Sequence, residues 1–190
     1  MMNNTSDNGM PIRLLSDGHT LSNGCTAQYS TNTEVLLCTP KTTLVPCDQL
    51  SSDVATHLRN VGLSPTTTEC VVVSPERGGI VAVMAIERRH YEEIMSSNSE
   101  VRFTSPLLDD DISEKGCTIS LYGNVLYVRI VENGLRFAEA MEIRTNSDIL
   151  FYVERINSVY GICNMYARAS GNKERLSQLL KKKFKNLICE

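Results

Sequence analysis

Gly123-Asn124-Val125-Leu126-Tyr127-Val128-Arg129-Ile130-Val131-Glu132-Asn133-Gly134-Leu135-Arg136-Phe137 is the stretch on which the fold of this chain turns. β-Branched and aromatic residues fill Val125 to Val131, and two-residue turn signals bracket them. Asn133-Gly134 is the stronger signal, because a type I′ hairpin turn needs positive φ at both central residues. Working outward, Cys117 to Leu121 reads as the preceding strand and Leu135 to Ile143 as the following one, so the stretch predicts a three-strand antiparallel meander. Beyond it, Thr145 is an N-cap and Asp148 the acid of a capping box. Ile149, Tyr152, Val153, Ile156, Val159 and Tyr160 then recur at helical spacing and are expected to face the core, and Gly161 ends that helix. A strand over Ile162–Ala169, a helix from Asn172 carrying Leu176, Leu179, Leu180 and Phe184, and a terminal strand over Leu187–Cys189 complete this half.

Upstream, Pro11–Leu15 reads as a strand, Asp17-Gly18 as a hairpin turn, and Cys25–Thr31 and Glu34–Thr39 as two further strands, which gives a second meander. Thr42–Pro46 is extended. A helix is expected to begin near Pro46–Asp48, with Leu50, Val54, Leu58 and Val61 on one stripe and Gly62 at its end. Glu69–Ser74 and Gly79–Ile86 are strands joined by a hairpin through Gly78-Gly79. A short helix follows from Glu87 with Tyr91, Ile94 and Met95 on one side, then a strand over Val101–Thr104. Residues 105–115, with Pro106 and Asp109-Asp110-Asp111, form the most linker-like segment. Both halves thus read as a meander followed by helices and further strands.

The 190 residues are 42% apolar and 22% charged, with 11 Gly and 6 Pro, which excludes disordered and collagen-like chains. The 19 Lys plus Arg against 22 Asp plus Glu leave a net charge of −3, so no bulk electrostatic drive toward nucleic acid or anionic lipid exists. The 7 Cys are odd in number and widely spaced, without a Cys-x-x-Cys pair. They read as reduced thiols rather than disulfides or metal ligands. Met1–Met10 lacks a signal-peptide pattern, and the longest apolar run, Ile80–Ile86, falls far short of the ~18 residues of a membrane helix. The expectation is a soluble cytoplasmic protein.

Three stretches carry a resemblance: Thr43-Leu44-Val45-Pro46 leading into a helix, Val125 through Phe137, and Asn146-Ser147-Asp148-Ile149-Leu150-Phe151-Tyr152-Val153. Together they resemble a bacterial family known as domain of unknown function 3822, found mainly in Bacteroidetes, over most of Met10–Cys189. The resemblance implies an actin-like ATPase fold of mixed α+β or α/β class. It would be built from two duplicated ribonuclease-H-like lobes, each a mixed sheet with a three-strand antiparallel meander plus helices, in line with the repeated element order. The lobes would span residues 10–104 and 116–190. The chain looks shorter than typical members.

The same resemblance defines candidate site residues. Catalytic actin-like ATPases place Asp-x-Gly in the first hairpin of each lobe, where the carboxylate holds the magnesium shell and the glycine admits phosphate to backbone amides. The matching triplets here are Ser16-Asp17-Gly18 and Leu121-Tyr122-Gly123, so both glycines remain and both first-position aspartates are absent. Strand alternation aims Asp17 to the opposite face from that position. Ser170-Gly171-Asn172 partly matches the adenosine loop and is equally an ordinary helix N-cap. Asp17, Gly18, Gly123 and Gly171 are therefore read as the remnant of a nucleotide cleft, with no catalytic or metal-ligating residue assigned.

The expected function is a non-catalytic actin-like scaffold, without cofactor, that binds a protein partner or a second copy of itself. The alternative is an ATPase with rearranged ligands from Asp17, Asp148 or Asp109–Asp111, which would take ATP and magnesium. Lys181-Lys182-Lys183-Phe184-Lys185 is the only basic cluster. Its place at a helix end, where cations complement the dipole, favours a structural role over RNA binding. His19, His57 and His90 share no motif with an acid or nucleophile.

Overall fold

The computed structural model describes residues 12–15, 34–108 and 115–189. The described strands are β1 (Ile12–Leu15), β2 (Glu34–Cys38), β3 (Thr42–Pro46), β4 (Glu69–Val73), β5 (Ile80–Glu87), β6 (Arg102–Thr104), β7 (Gly116–Tyr122), β8 (Val125–Val131), β9 (Leu135–Glu142), β10 (Tyr166–Gly171) and β11 (Asn186–Cys189). The helices are α1 (Ala55–Asn60), α2 (Arg88–Ser97), α3 (Asn146–Tyr160) and α4 (Lys173–Leu180).

The second half follows its sequence closely. β7, β8 and β9 form the antiparallel meander. β10 then lies parallel to β7 and β11 parallel to β10, giving the sheet order β11-β10-β7-β8-β9. Period-two alternation divides β8 between two cores. Leu126, Val128 and Ile130 pack beneath α3 and α4 with Ile149, Val153, Ile156, Leu176 and Leu180. Val125 and Tyr127 point through the opposite face. Two details differ from expectation: Val159 is 70% exposed rather than in the core, and β10 starts at Tyr166 after a 3-10 turn over Ile162–Asn164. Val159 faces open space beside β9, so helical spacing alone could not place it.

The first half departs further. β1, β2 and β6 are mutually parallel, so Pro11–Leu15 and Glu34–Thr39 are not members of one antiparallel meander. The expected hairpin at Asp17-Gly18 and the strand at Cys25–Thr31 lie outside the described residues. The physical reason for the parallel arrangement is legible in β2. Val35, Leu36, Leu37 and Cys38 are each 0% exposed, the unbroken apolar run of a strand covered on both faces. The 18 residues between Leu15 and Glu34 are also long enough for a crossover. A separate antiparallel sheet, β3-β5-β4, is inserted between β2 and α2. Its β4–β5 connection is the expected Gly78-Gly79 hairpin, closed by the Arg77 and Ile80 backbones.

α1 begins at Ala55 instead of near Pro46, and only Leu58 of the expected stripe is buried; Leu50 and Val61 face solvent. Ser51-Ser52-Asp53 explains the delay. The Asp53 amide donates to Ser51 Oγ at 3.2 Å and the Ser51 amide donates to His57 Nε2 at 2.9 Å. Short polar side chains here offer the backbone partners that compete with the helix.

The halves meet through a third core. Leu36 and Cys38 from β2 and Leu107 pack against Tyr122, Val125 and Tyr127, with Leu44, Ala138 and Ala140 at its margin. Tyr127 Oη donates to the Thr39 carbonyl at 3.1 Å. The buried Arg129 guanidinium donates to the Leu107 carbonyl at 2.9 Å. Ser105 to Leu108, at the start of the linker-like segment, are buried.

Candidate functional site

The β7–β8 hairpin is the local structure around which the candidate residues gather. Tyr122 pairs with Val125 across the two-residue turn Gly123-Asn124, and Gly123 takes a φ of 56°. The Asn124 carbonyl accepts from the Ile143 amide at 2.8 Å, which brings the start of α3 alongside. There Thr145 Oγ1 accepts from the Asp148 amide at 3.2 Å, and Asp148 Oδ2 accepts from the Arg144 and Thr145 amides, each at 2.8 Å. The Arg144 and Thr145 backbone bonds hold the Asp148 carboxyl below its usual range, against a smaller opposing effect of burial.

α4 starts at the same end of the sheet. The Asn172 amide donates to the Leu121 carbonyl at 2.8 Å, and Asn172 Oδ1 accepts from the Arg175 amide at 3.2 Å. Arg175 Nε donates to Asn146 Oδ1 at 2.7 Å, tying the two helix starts together. Ser120 and Ser170 share a hydroxyl hydrogen bond of 2.8 Å. The structure thus sets Gly171 against Leu121 and Tyr122, the residues that lead into the Gly123 turn; Asp17 and Gly18 lie outside the described residues, as do Ser16 and Asp109–Asp111.

Gly171 shows how tight this corner is. Its φ is +76°, a Cβ there would overlap the Leu121 carbonyl oxygen, and the Tyr122 ring carbon Cε1 would be 3.0 Å away. The glycine is required by the approach of a neighbouring strand and an aromatic ring. Leu121 itself is 1% exposed and packed in the core beneath the helices. Alternation turns Tyr122 to the other face, where its ring lies 6.3 Å from that of Tyr127.

Other reactive side chains are held in structural roles. His57 accepts the Ser51 amide. Burial pushes the Cys117 thiol up to about 12, aided by the neighbouring Cys163, which keeps it a protonated thiol of low nucleophilicity near neutral pH. Cys47, Cys70, Cys117, Cys163 and Cys189 form no disulfides. Among the described residues, no group of three His, Cys, Asp or Glu is placed to hold a metal ion. In the lysine cluster, Lys183 pairs with Glu154, Phe184 is buried and the Lys185 amide donates to the Cys163 carbonyl. No helix among the described residues is long and apolar enough to cross a membrane.

A groove escaped the sequence reading. It has a volume of about 580 Å³ and runs along β9, between Tyr152, Arg155 and Val159 of α3 on one side and Pro40, Lys41 and Leu63 on the other. Lys41 Nζ is 2.6 Å from Glu69 Oε2 beside it. Desolvation raises the Glu69 carboxyl, but the bonds from Lys41 and Thr66 outweigh it and the net shift is downward. Only the exposed apolar Val159, out of place in a core stripe, could have signalled this feature, and exposure is invisible to spacing.

No family model matches the sequence, and no curated protein matches it. Among solved structures, one from Bacteroides thetaiotaomicron, described as a protein with actin-like ATPase fold and unknown function, aligns with a TM-score of 0.66 at 16% identity, covering 84% of this chain and 68% of that one. The cytoplasmic domain of EpsL, an inner membrane component of the type II secretion system of Vibrio cholerae, aligns with a TM-score of 0.46 at 12% identity, covering 84% and 80% of the two chains. At such identities the likeness speaks to architecture, and the architecture it shows for this mixed α and β chain is the actin-like ATPase fold.

Proposed function

We propose that this chain is a non-catalytic actin-like domain that serves as a protein-interaction scaffold in the cytoplasm. The observation that carries the reading is the corner at Gly171. The glycine freedom that would admit a nucleotide is taken up by the Leu121 carbonyl and the Tyr122 ring. The aligned hairpin position that would carry a magnesium-shell carboxylate holds the buried Leu121. The amides of Arg144 and Thr145, just ahead of α3, are engaged by the Asp148 carboxylate, which sets a negative charge at this end of the helix. These features support a corner that holds no magnesium nucleotide.

The lobe division at residues 10–104 and 116–190 belongs to the same proposal, as does kinship with the domain of unknown function 3822. In chain order the second half runs 3-2-1-4-5 across its sheet, the arrangement of a ribonuclease-H-like lobe. β1, β2 and β6 supply a parallel trio that matches strands 1, 4 and 5 of such a lobe, with the β3-β5-β4 sheet as an insertion. The two lobes would then be related by ancestry while differing in their peripheral parts.

The test is calorimetric titration of the 190-residue chain with ATP and magnesium, paired with thermal unfolding. No heat and no shift in Tm at millimolar ATP is the expected result. Micromolar binding would overturn the scaffold reading, and would also announce itself as about 2.7 kcal/mol of added stability at ~100 times the Kd.

A further inference from the structure

The two edges of the five-stranded sheet are treated differently. Among the described residues, β11, Asn-Leu-Ile-Cys, is an edge of only 4 residues, short as protected edges are. The other edge among the described residues, β9, has 8 residues, Leu-Arg-Phe-Ala-Glu-Ala-Met-Glu; its charges, Arg136, Glu139 and Glu142, are of both signs, and no Pro or Gly interrupts it. The bond from the Ile143 amide to the Asn124 carbonyl fixes its ladder. By antiparallel alternation, Phe137, Glu139 and Met141 bond toward β8, and the backbones of Ala138, Ala140 and Glu142 face outward. Of these outward residues, Ala140 and Glu142 line the groove described above.

We infer that β9 is a self-pairing edge: two copies of this chain join β9 to β9 in antiparallel fashion, extending the five-stranded sheet across a two-fold axis. The inference rests on the scaffold reading and names its partner as a second copy. Charge complementarity selects that occupant. The amino-terminal end of β9 carries Arg136 and its carboxy-terminal end Glu142, and neither is ion-paired among the described residues. Antiparallel pairing of identical strands sets the positive end of each against the negative end of the other, twice per dimer. α3 follows the same logic. Val159, 70% exposed, and Tyr152 line the groove over β9, and a neighbouring strand would remove them from water. The small side chains of Ala138 and Ala140 let β3 pack closely on one face of β9 without covering its edge.

Sedimentation velocity over a wide concentration range tests this, with three kinds of variant. The wild-type chain is expected to pass from monomer to dimer. Ala140→Pro removes an outward N–H that the β8 ladder does not use, so it is tolerated by the fold while blocking the edge; the dimer Kd should rise at least about tenfold, with thermal unfolding as the check on folding. Arg136→Glu and Glu142→Arg should each weaken the dimer, and R136E/E142R together should restore it to within about threefold of wild type. A chain that stays monomeric throughout, including one that takes up an extended foreign peptide on β9 instead, overturns the inference. So does a dimer unaffected by Ala140→Pro or by the charge reversals. The nucleotide titration is read independently: an ATP-binding dimer would remove the scaffold reading and keep the edge, and an ATP-blind monomer would do the reverse.

Discussion

Gly171 and Gly161 make a matched pair of residues. Both have left-handed backbones, with φ of +76° and +67°, but an added Cβ at Gly161 meets nothing within 4 Å whereas one at Gly171 strikes the Leu121 carbonyl. Gly161→Ala is expected to lose about 1–2 kcal/mol, the ordinary cost of a left-handed L-residue. Gly171→Ala should lose that amount and more, because the α4 start must move off β7. Chemical denaturation of both variants measures the difference, which is the energetic worth of the close approach. Equal losses would show that the Leu121 carbonyl gives way to a methyl group at no cost. At this scale the sequence was readable in part. Gly171 stood out as a glycine before a helix, a pattern shared by nucleotide loops and plain caps, and only the position of Tyr122, brought in from another strand, distinguishes them.

Among the elements, α3 is the one whose ends and register the sequence specified most fully, through Thr145, Asp148 and Gly161. Its cap has a definite pH dependence. The folded Asp148 carboxyl titrates below its ordinary value of 3.8, so its contribution is complete above that value and is lost as pH falls through the lower folded one. Thermal unfolding followed from neutral pH into the acid range should therefore show Tm falling less steeply in Asp148→Ala than in wild type, with the variant already less stable at neutral pH. Parallel slopes would mean that the cap does not hold the carboxylate in solution. The shorter elements were less legible, for identifiable reasons. Leu50, Val54, Leu58 and Val61 have helical spacing, yet Ser51-Ser52-Asp53 bonds its own backbone and postpones α1. In β2, four consecutive apolar residues suit a central parallel strand, but a turn signal at Asp17-Gly18 suggested a hairpin, and local turns carry no information about a partner at residues 102–104. The β9 edge was legible as a strand and illegible as an edge, since nothing in a strand's own residues states that its far side is unpaired.

For the molecule as a whole, the apolar contact of Leu36, Cys38 and Leu107 with Tyr122, Val125 and Tyr127 makes each half part of the other's interior. The halves are expected to unfold together in one transition, with circular dichroism and tyrosine fluorescence coinciding. Tyr127 supplies a further probe. Burial, then the nearby Cys38 and Tyr122, push its phenol well above the ordinary value of 10. Its contribution to stability is present below that value and declines as pH rises past it. Alkaline titration should thus show one phenol ionising only as the fold is lost; ionisation of every tyrosine before the circular dichroism changes would mean that the contact between the halves admits water.

The parallel trio of β1, β2 and β6 also bears on how the chain is made. A ribosome synthesises Val35–Cys38 well before Arg102–Thr104, which completes the sheet beside it, and before Tyr122–Tyr127, which covers its other side. During that interval a run that is wholly hidden in the finished molecule is an apolar segment without a cover, the kind of transient surface on which nascent chains aggregate. Val35–Cys38 is therefore a segment that a chaperone stationed at the tunnel exit would shield until its two covers have been made.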